Sequence, residues 1–183
     1  MKKKEKKQMK KINLLWLVMP CVLLAGACDD DDDDRVDRMQ NQEFVTLAAS
    51  SNRFEIEAGE LAGEQGADDR VIEYGNHMVM DHGMAGTELA ALATAKGWNM
   101  PNDLLEKERE MLEDLMVLEG AAFDQEFARK MVISHEEAVS LFERASGPEG
   151  VLDEELREWA AGKLPTLRAH LEDARALNAQ INP

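Results

Sequence analysis

An all-α fold, a four-helix bundle with a short extra helix in its long crossover, is what this sequence predicts. From Asn41 onward, apolar residues recur at three- and four-residue spacing in four long segments, and nowhere does a strand-like alternation of period two persist. Glycine, proline and aspartate punctuate the segment ends, where helix caps and turns use them. Four amphipathic segments of this kind hide their stripes together by packing side by side around one core.

The first helix is expected over Asn41 to Ala62, with Phe44, Leu47, Ala48, Ser51, Glu55, Ala58 and Ala62 on one face and Gly63 and Gly66 ending it. Asp68 or Asp69 then caps a second helix whose inner face is Val71, Tyr74, Met78, His82, Ala85, Leu89 and Leu92. Lys96 followed by Gly97 closes it with a basic last turn and a C′ glycine. A shorter helix over residues 103–118 opens at Asp103, with Glu106 placed as in a capping box. The third long helix, near Ala121 to Ala145, carries Phe127, Met131, His135, Ala138, Phe142 and Ala145, and Gly147-Pro148 stops it. The last, Val151 to Ala179, carries Leu156, Trp159, Leu167, His170, Ala174 and Leu177. Pro165 removes a backbone donor there, so a kink or break is expected near Gly162.

Ahead of the helices, a lysine-rich start (Met1 to Lys11) runs into an apolar stretch (Ile12 to Ala27) that ends in Leu24-Ala25-Gly26-Ala27-Cys28. That order reads as a lipoprotein signal over residues 1–27, cleaved before a lipidated Cys28. The motif usually has a large aliphatic residue three places before the cysteine; here that place holds Ala25, with Leu24 one step earlier. An uncleaved anchor is the rival reading, but the apolar run is interrupted by Pro20 and falls short of the roughly 20 residues a spanning helix needs. Residues 28–40, in which six aspartates follow Cys28, form an acidic, extended tether, and 41–180 form the bundle. The aspartate run also raises a calcium-binding reading, which lacks an ordered loop to place its carboxylates.

Loss of residues 1–27, which carry seven lysines and one glutamate, takes the formal charge from −16 to −22 over 156 remaining residues. So acidic a surface repels phosphate backbones and anionic lipid headgroups, which argues against nucleic-acid binding and leaves the lipid on Cys28 as the membrane attachment. Acidic residues just after that cysteine resemble a surface-export address in some bacteria, whereas the enterobacterial rule reads Asp29 as inner-membrane retention. An exported, lipid-anchored envelope protein, at the outer membrane or surface in preference to the inner membrane, is the expectation. With Cys21 leaving in the signal and Cys28 acylated, the folded part has no thiol for disulfides or metal.

The strings FVTLAASSNRFEIEAGELA, MVMDHGMAGTELAALA, GAAFDQEFARKMVISHEEAVSLFERA and LREWAAGKLPTLRAHLEDARAL, in order over about residues 41 to 179, resemble the bacterial domain of unknown function DUF4142. The resemblance implies an exported, ferritin-like four-helix module and supplies no reaction.

Chemistry then rests on four histidines, His77, His82, His135 and His170. His82, His135 and His170 fall on inner stripes of three helices and Glu55 on that of the first, which nominates Glu55, His82, His135 and His170 as a transition-metal set. A ferritin-type di-iron centre is excluded, because Val79, Val132 and Leu167 stand where Glu-x-x-His requires glutamate. Counting from the expected helix ends weakens even a mononuclear site. Glu55 and His82 come out roughly 7.5 Å apart along the axis, and His135 and His170 roughly 12 Å apart. His77 is instead expected to face Glu55.

Absent convergence, the histidines are core groups that hydrogen-bond carboxylates, hydroxyls or carbonyls, with Asp81, Glu136, Glu137 and Glu172 nearby and the last three pointing outward. Met78, Met80, Met84 and Met131 suggest soft-metal copper chemistry, though methionine at helical spacing is usual core filler. No nucleophile elbow, thiol or phosphate loop is present, so no catalytic residue and no organic cofactor are assigned. The expected role is a non-enzymatic structural or interaction module with an unidentified protein partner. The alternative is a metal-binding or metal-dependent redox protein of ferritin-like descent using the inner histidines.

Overall fold

A computed structural model describes residues 38–183. The expected signal, Cys28 and most of the tether lie outside the described residues. Among the described residues every regular element is a helix: α1 (Asn41–Gln65), α2 (Asp69–Lys96), α3 (Glu106–Met116), α4 (Gly120–Ser146) and α5 (Glu154–Ile181). None of them is long and apolar enough to cross a membrane.

Asp68 caps α2 by accepting from the Arg70 N–H, and Gly97 ends it at φ 72°, a left-handed backbone that glycine adopts without a Cβ penalty. Asp153 caps α5 by accepting from Leu156 N–H at 3.0 Å. The capping box foreseen at Asp103 does not form: α3 begins at Glu106 behind Leu105, with no side-chain cap. Its start is fixed from outside instead, since Leu105 N–H donates to Ser50 Oγ at 2.8 Å and Ser50 donates on to Glu108 at 3.0 Å. Nor does Pro165 break α5, which runs through it. Pro165 and Ala161 are exposed, so the carbonyl that loses its partner faces water, where it stays solvated at little cost.

Side-chain pairs set helix direction. Between α1 and α4, Phe44 meets Phe142 and Glu55 meets Ser134, and just past the end of α1 Ala67 N–H donates to Asp124, so numbers rise on one helix as they fall on the other. Lys96–Asp153, Glu88–Trp159, Asp81–His170 and Arg70–Gln180 run antiparallel in the same way between α2 and α5. With α1 and α2 joined by a short turn, the order is up, down, down, up, and the connection from α2 to α4 is the long crossover that contains α3. Gly59 and Gly75 let α1 and α2 approach closely; a Cβ on Gly59 would stand 2.5 Å from the Gly75 carbonyl oxygen, and one on Gly75 2.6 Å from Ala62 Cβ.

The core is divided. One apolar cluster gathers Phe44, Ala48, Leu89, Leu92, Phe142, Leu156 and Leu167, and the other Phe54, Val71, Tyr74, Met78, Phe127, Met131 and Ala174. In each of the four long helices the gap between clusters falls at one level: around Asn52 to Glu55, His82, His135 and His170. A buried polar layer crosses the bundle between its two greasy halves.

Candidate metal centre

Helix packing places Glu55, His135 and His170 at 0, 0 and 3 % exposure and His82 at 6 %. His82 and His135 ring centroids are 5.7 Å apart, His82 and His170 5.5 Å, and His135 and His170 5.5 Å. One ring nitrogen from each lies within 4.8 Å of those of the other two. The axial offsets expected from counting residues are therefore corrected.

The error lay in the connection between α4 and α5. His135 stands 11 residues from Ser146 and His170 16 from Glu154, so true ends cut the mismatch to five residues, about 7.5 Å. Residues 147–153 absorb the remainder by carrying the chain past the end of α4, where Asp153 N–H donates to Asn41 and its carboxylate meets Lys96. His77 does not face Glu55: its ring is on the outer side, 46 % exposed and 3.2 Å from Asp81.

Each inner imidazole is held by one nitrogen. His82 Nδ1 lies 3.1 Å from Asn52 Oδ1, His135 Nδ1 2.9 Å from the Met131 carbonyl, and His170 Nε2 3.1 Å from Asp81 Oδ2. These oxygens only accept, so each bonded nitrogen carries the hydrogen and the other keeps a lone pair in the neutral ring. Those other nitrogens, His82 Nε2, His135 Nε2 and His170 Nδ1, are buried without a partner, as is Glu55 Oε2. Four unpaired polar atoms in one layer cost about 1–3 kcal/mol each, against a whole-domain stability of about 5–15 kcal/mol.

Electrostatics accord with a layer that is neutral when empty. Burial, reinforced by the neighbouring imidazoles, lowers the His82 pKa well below its usual 6.5. Burial takes His135 down to about 4, with the Met131 hydrogen bond opposing. His170 is lowered by burial and by His135, with Asp81 pulling the other way. The Glu55 carboxyl is pushed up to about 8 by burial, partly offset by the hydrogen bond its Oε1 accepts from Ser134. Its Oε1 also lies 3.6 Å from His135 Nδ1. Three imidazoles whose ligand atoms lie within 4.8 Å of one another complement a cation; Glu55 stands outside that trio, against the Nδ1 side of His135.

The donor set suits a first-row transition metal. Imidazole nitrogens favour zinc, copper, iron and nickel, and nitrogens 2.0–2.1 Å from a tetrahedral ion stand about 3.4 Å apart, so ligand atoms now within 4.8 Å of one another draw together by at most about 1.4 Å. Oxygen acceptors behind each ring are the supports that fix tautomer and orientation at metal sites. Beside the layer, a cavity of about 170 Å³ has His82 and His170 in its wall among Leu89, Phe142, Trp159 and Leu167. Of the methionines, Met78 and Met131 pack in the core, whereas Met80 and Met84 are 62 % exposed.

All four residues nominated from sequence lie in this layer, and Asp81 is the partner expected for a histidine. Glu136, Glu137 and Glu172 are exposed, as expected. Asn52, Ser134 and the Met131 carbonyl were missed. Asn52 sits three residues before Glu55 and so on its face, a signal available in the sequence; the carbonyl has none.

A family model described as a domain of unknown function, DUF4142, matches residues 29–177. No curated protein and no solved structure matches the chain.

Proposed function

The chain belongs to the DUF4142 family, a domain of unknown function, and from that premise we propose that its bundle holds one transition-metal ion on His82, His135 and His170, with Glu55 beside it. The observation that carries this is a set of three buried histidines whose ligand atoms come within 4.8 Å of one another, each ring having one nitrogen unpaired and the other fastened to an oxygen. A cation replaces three unsatisfied contacts at once. Glu55 then ionises, as an adjacent positive charge lowers a carboxyl pKa, and balances part of the charge. The cavity against His82 and His170 gives a small molecule access to the ion.

The protein works in the bacterial cell envelope, tethered by lipid on Cys28 through its acidic spacer. The order of basic, apolar and small residues before Cys28 supports that placement. Ferritin-like descent is supported by the long crossover joining two helices that run the same way.

A second reading, a structural or interaction module with histidines as internal struts, is favoured by the hydrogen bond each ring already makes, His82 and His170 to a neighbouring helix and His135 to the preceding turn of its own. Metal analysis separates the two. The whole chain, purified in detergent, stripped with chelator, loaded with Zn(II) and dialysed, is expected to retain metal at the triad. Free zinc at 100 times Kd stabilises by about 2.7 kcal/mol. His135→Ala is expected to abolish retention and the accompanying rise in melting temperature. Metal-free protein after dialysis, with an unchanged melt, favours the strut reading.

A further inference from the structure

His170 belongs to two groups of metal-capable side chains. Its Nδ1 is the unpaired atom on the inner side; its Nε2 faces Asp81. His77 Nε2 approaches the same Asp81 Oδ2 at 3.2 Å, and the His77 and His170 ring centroids are 5.1 Å apart. Ligand atoms of His77, Asp81 and His170 lie within 4.8 Å of one another, as those of His82, His135 and His170 do. The outer group grades from His77, 46 % exposed, through Asp81, 25 %, to His170 at 3 %, whereas the inner group is buried throughout.

We propose that His77, Asp81 and the outward nitrogen of His170 form a second divalent-metal site at the solvent edge, joined to the inner one by the His170 imidazole. The proposal rests on the inner site proposed above. Asp81 already stands 3.1 and 3.2 Å from the two nitrogens, close to the roughly 3.4 Å between donors on one tetrahedral ion. Small movements of His77 and Asp81, both on exposed or half-buried positions of α2, close the set. The two residues are one helical turn apart, which puts them on one face.

Proton balance is simple. In the metal-free protein His170 Nε2–H donates to Asp81. An outer ion takes the place of that hydrogen; the proton passes through Asp81 to solvent, and His170 becomes an imidazolate bound to one ion through Nδ1 and another through Nε2. Two positive ions on one ring make loss of its second proton favourable, as bound cations do for other ligands.

Copper titration tests this. The whole chain in detergent, stripped of metal, is titrated with Cu(II) alone and followed by bound copper and electron paramagnetic resonance. The expected result is two ions per chain, with signal intensity rising over the first equivalent and falling over the second, because an imidazolate bridge couples the two spins antiferromagnetically. His77→Ala, at a half-exposed position, is expected to bind one ion and keep its full signal, and Asp81→Asn gives the same stoichiometry by a second route. One ion in both wild type and His77→Ala, lost in His135→Ala, overturns the outer site while the inner stands. Two ions in His77→Ala overturn it as well, and two uncoupled ions in wild type overturn the bridge. No bound copper removes both sites together. Circular dichroism melts of each variant confirm that the bundle is folded in every comparison.

Discussion

Replacing Glu55 by glutamine separates two opposing pH effects buried in one layer. Around the Glu55 carboxyl stand Ser134 and His135 of α4, with His82 of α2 and His170 of α5 completing the layer. Its pKa rises from 4.5 to about 8 in the fold, so the folded state keeps a proton that the unfolded chain gives up as pH rises. Stability from this group is complete below pH 4.5 and is lost progressively up to about 8. At about 1.4 kcal/mol per pH unit, acidification from pH 7.5 to 5 restores roughly 3 kcal/mol.

The histidines run the other way. His82, His135 and His170 all have lowered pKa values in the fold. Their contribution is complete above about 6.5 and is lost as pH falls from there, towards about 4 for His135. By pH 5 His135 alone costs about 2 kcal/mol, and the lowered values of His82 and His170 add losses of the same sign. In metal-free wild type the Glu55 gain offsets the histidine losses between pH 7.5 and 5. Glu55→Gln, which can still accept from Ser134, lacks the offset and is expected to lose about 3 kcal/mol more than wild type over the same range. At about 2–4 °C per kcal/mol the variant's melting temperature falls about 6–12 °C further than wild type. Thermal melts by circular dichroism in chelator, from pH 7.5 to 5, read this directly. Parallel curves for the two proteins would refute a buried, protonated Glu55.

Three other perturbations reach different levels of the molecule. Asn52→Leu, which removes the acceptor behind His82 Nδ1, is expected to weaken zinc binding about 10–100-fold in isothermal titration while the fold persists. Gly75→Val puts a side chain where a Cβ already meets Ala62 and the Gly59 backbone. A cost of about 1–3 kcal/mol in urea unfolding is expected, together with weaker zinc binding, since α2 carries His82 away from its partners. Cys28→Ser is expected to abolish palmitate labelling and release the protein from membranes; labelling that persists removes the proposed anchor.

The bundle was legible because its signals are local. Capping by Asp68, the Gly97 stop and the stripe from Phe127 to Ala145 each depend on residues a few places apart, and each appears where periodicity puts it. What sequence could not supply was height. Whether His135 and His170 meet depends on how far residues 147–153 climb, and that is set by Asp153 reaching Asn41 and Lys96 from more than fifty positions away. Composition at Pro165 pointed to a break, yet the lost hydrogen bond faces water, a fact of burial invisible in one dimension. Likewise the four candidate ligands could be named from their stripes, but their unpaired atoms emerge only when four helices are brought together.

X-ray absorption on the whole chain carrying one equivalent of zinc measures the inner shell most directly. Three imidazole nitrogens at about 2.0–2.1 Å, with multiple scattering from the rings, are expected, and one imidazole fewer in His135→Ala. A shell made of oxygen alone, unaltered in that variant, would place the ion on surface carboxylates and contradict a metal at the centre of this bundle.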